Sequence, residues 1–365
     1  MKILFICGTI QPGKDGVGDY TRRLAGNLVE MGYEVFIISL YDSYIDDEVS
    51  EIQQADTMFV HTHRIPFQWN DTTRFLLAGK IIDSFNPDWV SLQFVVFSFH
   101  SKGLPWGLGN KLANLLENRR VHIMFHELWV AMDQESSIKL KILGQLQKTI
   151  IKKILKGVKP KIIHTHTPLY KWQLNKLGFT ASILPLFGNI PVKKFQDIKK
   201  NVSSRFVVFG SIHFGAPIDT FATELHAFGK LYNTAPEVVF IGRCGKEKED
   251  WEKSLDRESI HHTSLGEQTL EQISEVLTYC EYGLTSTPYL LTDKSGTVAA
   301  MLEHGLPVIC VARNWNVKSF LDNNKEAEGI FKYIPGRLDT ILHQKWKVER
   351  SLLDITNQFV NSLIK

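Results

Sequence analysis

Four consecutive residues in the second half of the chain have the types and the spacing that an anion site needs. Lys294, Ser295, Gly296 and Thr297 stand where an apolar strand and a loop give way to a helical pattern. A helix N-terminus presents free backbone N–H groups and about half a unit of positive charge. Hydroxyl groups and a lysine added there could hold a diphosphate and stabilise it as it leaves. An ordinary N-cap beside a lysine is the structural alternative.

A glycine-rich turn from Gly13 to Tyr20 separates the first apolar strand from the first helical pattern. Gly16 and Gly18 would let the backbone approach a ligand closely, and the following helix, expected from about Asp19 to Met31, would point N–H groups at it. The spacing fits neither a dinucleotide fingerprint nor a Walker motif, which disfavours an NAD-dependent dehydrogenase. Any strand-to-helix turn can carry such glycines, so a structural role stays open.

His126 and Glu127 follow an apolar strand, VHIMF, in the first half of the chain. Side chains at the carboxyl ends of parallel strands face the crevice in which open α/β sheets bind ligands. The alternative for His126 is a buried histidine that bonds a backbone carbonyl. Two further groups, His61-Thr62-His63 and His164-Thr165-His166, also follow predicted strands and compete for the same crevice.

Metal binding is not expected, although His-x-His is a metal-binding pair in some proteins. The chain contains no Asp-x-Asp, and further ligands at a recognisable spacing are missing. The four cysteines are scattered and lie in or beside apolar runs, which predicts buried, reduced thiols in a reducing compartment, the cytoplasm.

Short apolar runs alternate with helical patterns along the 365 residues, which predicts two α/β domains built on parallel sheets. We expect a first domain over residues 1–187, a linker over 188–204 and a second domain over 205–338. Residues 339–365 form a helical stretch that either returns to the first domain or caps the second. No apolar run reaches the length of a membrane-spanning helix.

Three stretches of the sequence together resemble a known family. They are the opening MKILFICGTIQPGKDGVGDYTRRLAGNLVEMGYEVFIIS, the THTPLY segment and the stretch from STPY to HGLPVI. They are similar to family 4 (group 1) retaining glycosyltransferases of the GT-B type. That resemblance implies two Rossmann-like domains whose parallel sheets face a central cleft, and an α/β fold class. It covers the chain in order from Lys2 to about Arg313.

The resemblance also implies an activity and roles for the candidate residues. A sugar would pass from a nucleotide diphosphate, UDP- or GDP-linked, to a hydroxyl of a glycan, glycolipid or small molecule, with retention and without a metal or other cofactor. His126 would lie close to the transferred sugar and orient or polarise it, with Glu127 as its neighbour or an acceptor contact. Gly16 and Gly18 would lie near the donor diphosphate. The first domain would hold the acceptor and the second the nucleotide.

Two of the family's motifs are altered in this chain. The E-x7-E element falls on Thr292 and Ala300, which leaves Asp293 and Glu303 as substitutes for the nucleotide- and sugar-binding acids. The basic pair of G-R-x-x-x-x-K-G is also missing, because that place reads Gly210-Ser211-Ile212-His213-Phe214-Gly215-Ala216. Gly210 and Ser211 can still shape a close backbone approach, and the compensating charges would be Arg243 and Lys294. A weak enzyme, a catalytically silent subunit and a nucleotide-sugar epimerase remain alternatives.

Residues 138–161 contain eight lysines and no acid, with an apolar stripe of Leu143, Leu146, Ile150, Ile151 and Ile154. Such a basic amphipathic helix can lie on an anionic membrane, and in this family it would suit a lipid-linked acceptor. A solvated face packed on its own domain is the alternative. Nucleic acid is not expected as a partner, because the run contains no interleaved aromatics and the net charge of the chain is only +3.

Overall fold

A computed structural model describes residues 1–193, 204–320, 328–344, 346 and 351–364. The chain divides into two compact units. The first comprises Met1–Pro185, Asn316–Lys318 and Leu352–Lys365, and the second comprises Leu186–Trp315 and Ser319–Ser351. Most of the predicted linker, residues 194–203, lies outside the described residues, as do residues 345 and 347–350 of the helical stretch predicted over 339–365.

Within the described residues, the first unit is built on an eight-stranded sheet in the order β3-β4-β2-β1-β5-β6-β7-β8. All neighbouring strands are parallel except β3 and β4. The strands are β1 (Lys2–Cys7), β2 (Glu34–Asp42), β3 (Val49–Ala55), β4 (Met58–Pro66), β5 (Trp89–Phe94), β6 (Val121–Phe125), β7 (Ile162–Thr165) and β8 (Ser182–Ile183). Strands β5 and β6 are buried throughout, as expected of strands covered on both faces. The strand order reverses between β1 and β5.

The helices of the first half of the chain are α1 (Gly16–Glu30), α2 (Asp71–Phe85), α3 (Leu108–Leu115), α4 (Ile138–Val158) and α5 (Pro168–Lys176). Helix α1 begins three residues before its predicted start at Asp19. The reason is Asp15, which caps the helix by accepting the N–H of Gly18 at 2.6 Å. The glycines predicted to form a loop therefore lie in the first helical turn.

The second unit contains, in its described part, a fully parallel six-stranded sheet in the order β11-β10-β9-β12-β13-β14. Its strands are β9 (Arg205–Phe209), β10 (Glu237–Ile241), β11 (His261–Gly266), β12 (Tyr282–Thr285), β13 (Val308–Cys310) and β14 (Ile330–Lys332). Its helices are α6 (Ile218–Tyr232), α7 (Lys248–Arg257), α8 (Leu270–Tyr279), α9 (Gly296–Glu303) and α10 (Leu338–Leu342). The strand order reverses between β9 and β12.

The last helix, α11 (Leu352–Ile364), belongs to the first unit. The ring of Phe359 stacks on Phe5 of β1 with centroids 6.0 Å apart. The Gln358 side chain donates to the backbone oxygen of Ile183 at 3.1 Å. The end of the chain therefore covers one face of the first sheet.

Two local features differ from the sequence expectations. Strand β4 extends to Pro66, so His61 and His63 lie within a strand and do not follow its end. Of the apolar stripe predicted in α4, Ile150, Ile151 and Ile154 are buried, whereas Leu146 is 38% exposed. In the described residues, no helix combines the length and the apolar character needed to cross a bilayer.

Candidate functional site

The strand-order reversal of the second unit brings together the loops that leave β9 and β12. In open α/β sheets, ligands bind outside the carboxyl ends of the strands at such a switch point. The two loops are hydrogen-bonded here: the backbone N–H of His213 donates to the hydroxyl of Ser286 at 2.7 Å. Ser286 directly follows β12 and was not among the site residues predicted from the sequence.

Helix α9 begins beside this point, at Gly296. Ser295 is its N-cap, and its hydroxyl accepts the N–H of Val298 at 3.4 Å. The same hydroxyl lies 3.0 Å from the hydroxyl of Thr297. The predicted segment therefore forms a capped helix start with its partial positive charge at the switch point.

Gly210 directly follows β9 and contacts the first turn of α9. Its φ is +80°, a conformation that other residues adopt only with strain. A Cβ atom at Gly210 would lie 2.9 Å from Cγ2 of Thr297. The structure thus brings together two predicted donor-site segments, and both the contact and the positive φ favour glycine at this position.

Lys294 adds a positive charge to the loop after β9 and the start of α9. Burial, and then the positive charge of Lys294, lower the pKa of His213 from its ordinary value. Lys294 is therefore close enough to act on the His213 imidazole, which is neutral near pH 7. The loop after β9 and the start of α9 together provide backbone N–H groups, hydroxyls, an imidazole and one ammonium group.

Arg243 and Ser211 are placed differently from the other donor-site candidates. The guanidinium of Arg243 is largely exposed and pairs with Glu267, and the Ser211 hydroxyl donates to the Arg243 backbone oxygen at 3.5 Å. A second arginine was missed. Arg313 follows β13, and its Cδ lies 3.3 Å from where a Cβ of Gly215 would stand. Its position after the apolar run PVICV was the signal that could have revealed it.

The two candidate acids stand at different ends of α9. Asp293 is buried, 7% exposed, in the 3₁₀ turn Tyr289–Lys294 that precedes the helix. Glu303 is the last residue of α9, about 10 Å along the axis from its first residue. Thr292 and Ala300, where the family motif has acids, are completely buried.

The first unit positions His126 immediately after β6. Its backbone N–H donates to the oxygen of Phe94 at 3.1 Å, and its side chain is 6% exposed. Nδ1 lies 2.9 Å from Nε2 of His166, and Nε2 lies 2.8 Å from Oε1 of Gln93. The ring of Tyr20 packs edge-on against His126 at 4.8 Å. His166 therefore joins His126, and Gln93 and Tyr20 are neighbours that the sequence did not reveal.

Glu127 adjoins this pair in the chain, whereas the histidines of β4 lie on a strand separated from β6 and β7 by other strands of the sheet. Glu127 follows His126 and is half-buried. His61 is exposed on β4, and His63 lies 3.6 Å from a carboxylate oxygen of Glu48. In the described residues, no group of three His, Cys, Asp or Glu side chains could hold a metal ion.

Gly16 and Gly18 lie in the first turn of α1, whose N-terminus already carries a carboxylate. Asp15 accepts the N–H of Gly18, and burial raises its pKa although hydrogen bonds from Gly18 and Val17 oppose this. A Cβ on Gly18 would lie 2.7 Å from the backbone oxygen of Thr9. Gly18 is thus required by packing, and its N–H is occupied by Asp15.

No protein-family model and no curated protein sequence matches the chain. Solved structures do match. The apo form of the lipopolysaccharide outer core galactosyltransferase WaaB is 13% identical, with a TM-score of 0.56 and 99% of each chain covered. Anabaena HepE in complex with UDP and glucose is 12% identical, with a TM-score of 0.53 and coverage of 99% of this chain and 90% of that one.

The chain has the GT-B fold. A putative UDP-N-acetylglucosamine 2-epimerase from Listeria monocytogenes is also similar, at 12% identity and a TM-score of 0.53, covering 100% of this chain and 87% of that one. A GT-B fold explains the two parallel-sheet units and the reversal of strand order in each. At these identities the likeness establishes the fold alone, because one fold hosts several chemistries.

Proposed function

We propose that this GT-B chain is a glycosyltransferase that moves a sugar from a nucleotide diphosphate sugar, UDP- or GDP-linked, to a hydroxyl acceptor. One observation carries the proposal: Gly210 after β9 contacts Thr297 in the first turn of α9, at the switch point of the second sheet. The helix start and Lys294 supply the positive charge that a departing diphosphate needs. The solved complex of HepE with UDP and glucose supports the choice of donor.

The roles of the remaining candidates follow from their places. The N–H groups of Ser211, Gly296 and Thr297, together with Lys294, bind the diphosphate without a metal ion. Gly210 allows the close approach of the two segments, and its own N–H is donated to the oxygen of Ile241. Asp293, in the 3₁₀ turn that precedes α9, is the better placed acid for the nucleotide or sugar, and Glu303 is the weaker candidate. The Arg243 guanidinium must leave Glu267 if it is to contact a phosphate.

The first unit supplies the acceptor side in this proposal. His126 orients or polarises the sugar, for which one of its ring nitrogens must leave Gln93 or His166. Glu127 is an acceptor contact. Gly16 remains a candidate contact of the donor diphosphate because it lies at the start of α1. The N–H of Gly18 is already donated to Asp15. Retention of configuration rests on the resemblance of STPY and HGLPVI to family 4 transferases.

An epimerase is the second candidate, favoured by the likeness to the putative 2-epimerase. Such an enzyme converts the sugar nucleotide itself and needs no acceptor. Incubation of the donor with and without an acceptor, followed by analysis of released nucleotide and of the sugar, separates the two. Nucleotide binding with no turnover in either assay would identify a catalytically silent subunit.

The first prediction tests the donor site directly. Among UDP-, GDP-, ADP- and dTDP-sugars, we expect one nucleotide class to raise the melting temperature, because a ligand of the native state stabilises it. Lys294→Ala should weaken binding of that nucleotide about tenfold, the size of one charge-assisted hydrogen bond. A thermal-shift assay measures the first effect, and titration calorimetry measures the second.

The matched control is Lys230→Ala, which removes the same charge from the last turn of α6. Lys230 lies about 18 Å along that helix from Ile218, its first residue. We expect unchanged affinity in the control. Equal losses in both variants, or no binding of any sugar nucleotide by the unmodified chain, would contradict the proposal.

The outward face of α4 suits a lipid-linked acceptor. Its first turns expose Ile138 at 78% and Ile142 at 59%. Farther along the same face, Lys152, Lys153 and Lys156 are exposed. Apolar side chains beside several lysines and no acid match an anionic membrane surface. We propose that this face contacts the cytoplasmic side of a membrane.

The second prediction concerns this face. Lys152→Gln with Lys153→Gln should weaken binding to phosphatidylserine-containing vesicles about 30-fold, because each lysine near the surface contributes about 1 kcal/mol. Vesicle co-sedimentation at low salt measures the change. Lys246→Gln with Lys248→Gln, in the second unit, is the matched control. No binding of vesicles by the unmodified chain, or an equal loss in the control, would contradict the proposed membrane contact.

A further inference from the structure

Buried polar side chains on β5, β6 and β7, and directly after β6 and β7, form one continuous hydrogen-bonded row in the first unit. The row ends on a backbone carbonyl. In order, its members are His164, His122, Ser91, Gln93, His126, His166 and the oxygen of Leu184. Each of the six side chains is at most 6% exposed. Such a row must satisfy its own donors and acceptors, because water is excluded.

The first half of the row joins two histidines to Gln93. Nδ1 of His164 lies 3.1 Å from Nε2 of His122, and Nδ1 of His122 lies 2.8 Å from Oγ of Ser91. The side-chain nitrogen of Gln93 donates to that hydroxyl at 2.7 Å. The amide nitrogen only donates, and the described residues offer the Ser91 hydrogen no other acceptor, so Ser91 donates onward to Nδ1 of His122.

In the second half of the row, the position of one hydrogen follows directly from the chemistry of its partner. Nδ1 of His166 lies 2.9 Å from the oxygen of Leu184, and a carbonyl only accepts, so this nitrogen carries hydrogen. Oε1 of Gln93 likewise only accepts, so Nε2 of His126, 2.8 Å away, carries hydrogen as well. One more hydrogen stands between the two rings, in the 2.9 Å contact of His126 Nδ1 with His166 Nε2.

The His126–His166 pair therefore holds three N–H hydrogens in this arrangement, whereas two neutral imidazoles hold two. The extra proton makes one imidazolium, shared across the contact between the rings. A half-turn of the Gln93 amide exchanges its oxygen and nitrogen without a change of shape. Gln93 then donates to Nε2 of His126, and the pair becomes neutral with every hydrogen bond still satisfied.

The half-turn also reverses the other half of the row. The Gln93 oxygen now accepts from Ser91, so Ser91 accepts from Nδ1–H of His122. His122 then accepts at Nε2 from Nδ1–H of His164. Both of these histidines move their single hydrogen from Nε2 to Nδ1, and neither changes its charge.

We infer that Gln93 is a positioning residue that couples the proton count of the His126–His166 pair to the tautomers of His122 and His164. The proton that enters the pair comes from water, and it returns to water when the amide turns. Gln93 thereby decides whether Nε2 of His126 is a donor or an acceptor. This inference does not depend on the proposed transferase activity.

The surroundings of the row are compatible with this coupling. From α1, Tyr20 packs on both rings of the pair, and burial raises the pKa of its phenol, which stays neutral. Burial, followed by the neighbouring His164, lowers the pKa of His122, and burial lowers that of His164 to about 4. These two histidines therefore stay neutral, and they respond to the pair by a change of tautomer and not of charge. Glu127, next in the chain, is the nearest acid in sequence.

The third prediction is a spectroscopic one. In protein labelled with ¹⁵N-histidine, long-range ¹H–¹⁵N correlations identify which ring nitrogen carries hydrogen. From about pH 8 down to pH 5, the range in which imidazoles titrate, we expect the pair to gain one proton. In the same step, His122 and His164 should change from the Nδ1–H to the Nε2–H tautomer.

Two variants interrupt the row at different places. Gln93→Met keeps the length of the side chain and removes the amide, and Ser91→Ala leaves the Gln93–His126 contact and removes the next link. In each variant, His122 and His164 should keep one tautomer at all pH values. If a variant does not fold, the other variant and the unmodified protein decide the question.

Three outcomes would overturn the inference. The pair could stay neutral over the whole range, which excludes the extra proton. His122 and His164 could keep their tautomers while the pair gains a proton. The tautomers could also change in both variants as they do in the unmodified protein, which would mean that neither Gln93 nor Ser91 transmits the change.

Discussion

Gly210→Ala is expected to lower the affinity for the nucleotide diphosphate sugar at least about 100-fold, which corresponds to about 2.8 kcal/mol. The added Cβ would stand 2.9 Å from Cγ2 of Thr297, closer than real Cβ atoms approach other atoms. Either the Thr297 side chain rotates, which takes its hydroxyl away from Ser295, or the loop after β9 and the first turn of α9 separate. Because both segments supply the N–H groups proposed to bind the diphosphate, several hydrogen bonds are lost together.

Gly245→Ala is the matched control for this experiment. Gly245 has a φ of +79°, against +80° at Gly210, and a Cβ there would meet nothing within 4 Å. Both alanines therefore carry the same backbone cost of about 1–2 kcal/mol, and only one has a steric conflict. Titration calorimetry with the nucleotide found in the thermal-shift screen compares them.

A second substitution can restore the site. Thr297→Ser removes Cγ2 and keeps the hydroxyl that contacts Ser295. The double variant Gly210→Ala, Thr297→Ser should recover most of the affinity, and Thr297→Ser alone should change it little. Unchanged affinity in Gly210→Ala, or a loss of the same size in Gly245→Ala, would contradict a donor site at this contact.

The contact between Gly210 and Thr297 illustrates which parts of the candidate donor site could be predicted from the sequence and which could not. The start of α9 is a local signal, a capping serine between a loop and an apolar helix, and the structure confirms it at Gly296. The contact with Gly210 depends on β9 lying beside β12, strands more than 70 residues apart. No local pattern specifies which strands of a parallel sheet become neighbours, so the two segments were predicted separately.

The first unit illustrates the same limit. The sequence predicts that His126 ends a buried strand, because the run VHIMF is apolar throughout. Its contacts with Gln93 and His166 require the order β5-β6-β7, which only the tertiary fold decides. The error at the start of α1 has another origin. Its glycines resemble a loop, and the capping carboxylate of Asp15 overrides their low helix propensity.

His126→Ala is expected to lower the rate of sugar transfer about 100- to 1000-fold and to leave donor binding nearly unchanged. A preorganised side chain that acts on the reacting sugar contributes about that much when it is removed. The donor nucleotide is proposed to bind the second unit, so its dissociation constant should stay within about twofold. The measurements are kcat in a transfer assay and the dissociation constant of the nucleotide by calorimetry.

His61→Ala is the control that the fold provides, since His61 was a rival candidate and the structure places it, exposed, in the middle of β4. Transfer by that variant should match the unmodified chain. A melting temperature measured for both variants separates a lost catalytic contact from a lost fold, because His126 is buried and His61 is not. If His126→Ala transfers sugar within a few-fold of the unmodified rate while remaining folded, the histidine is a structural link of the buried row, and the acceptor chemistry must be sought elsewhere in the first unit.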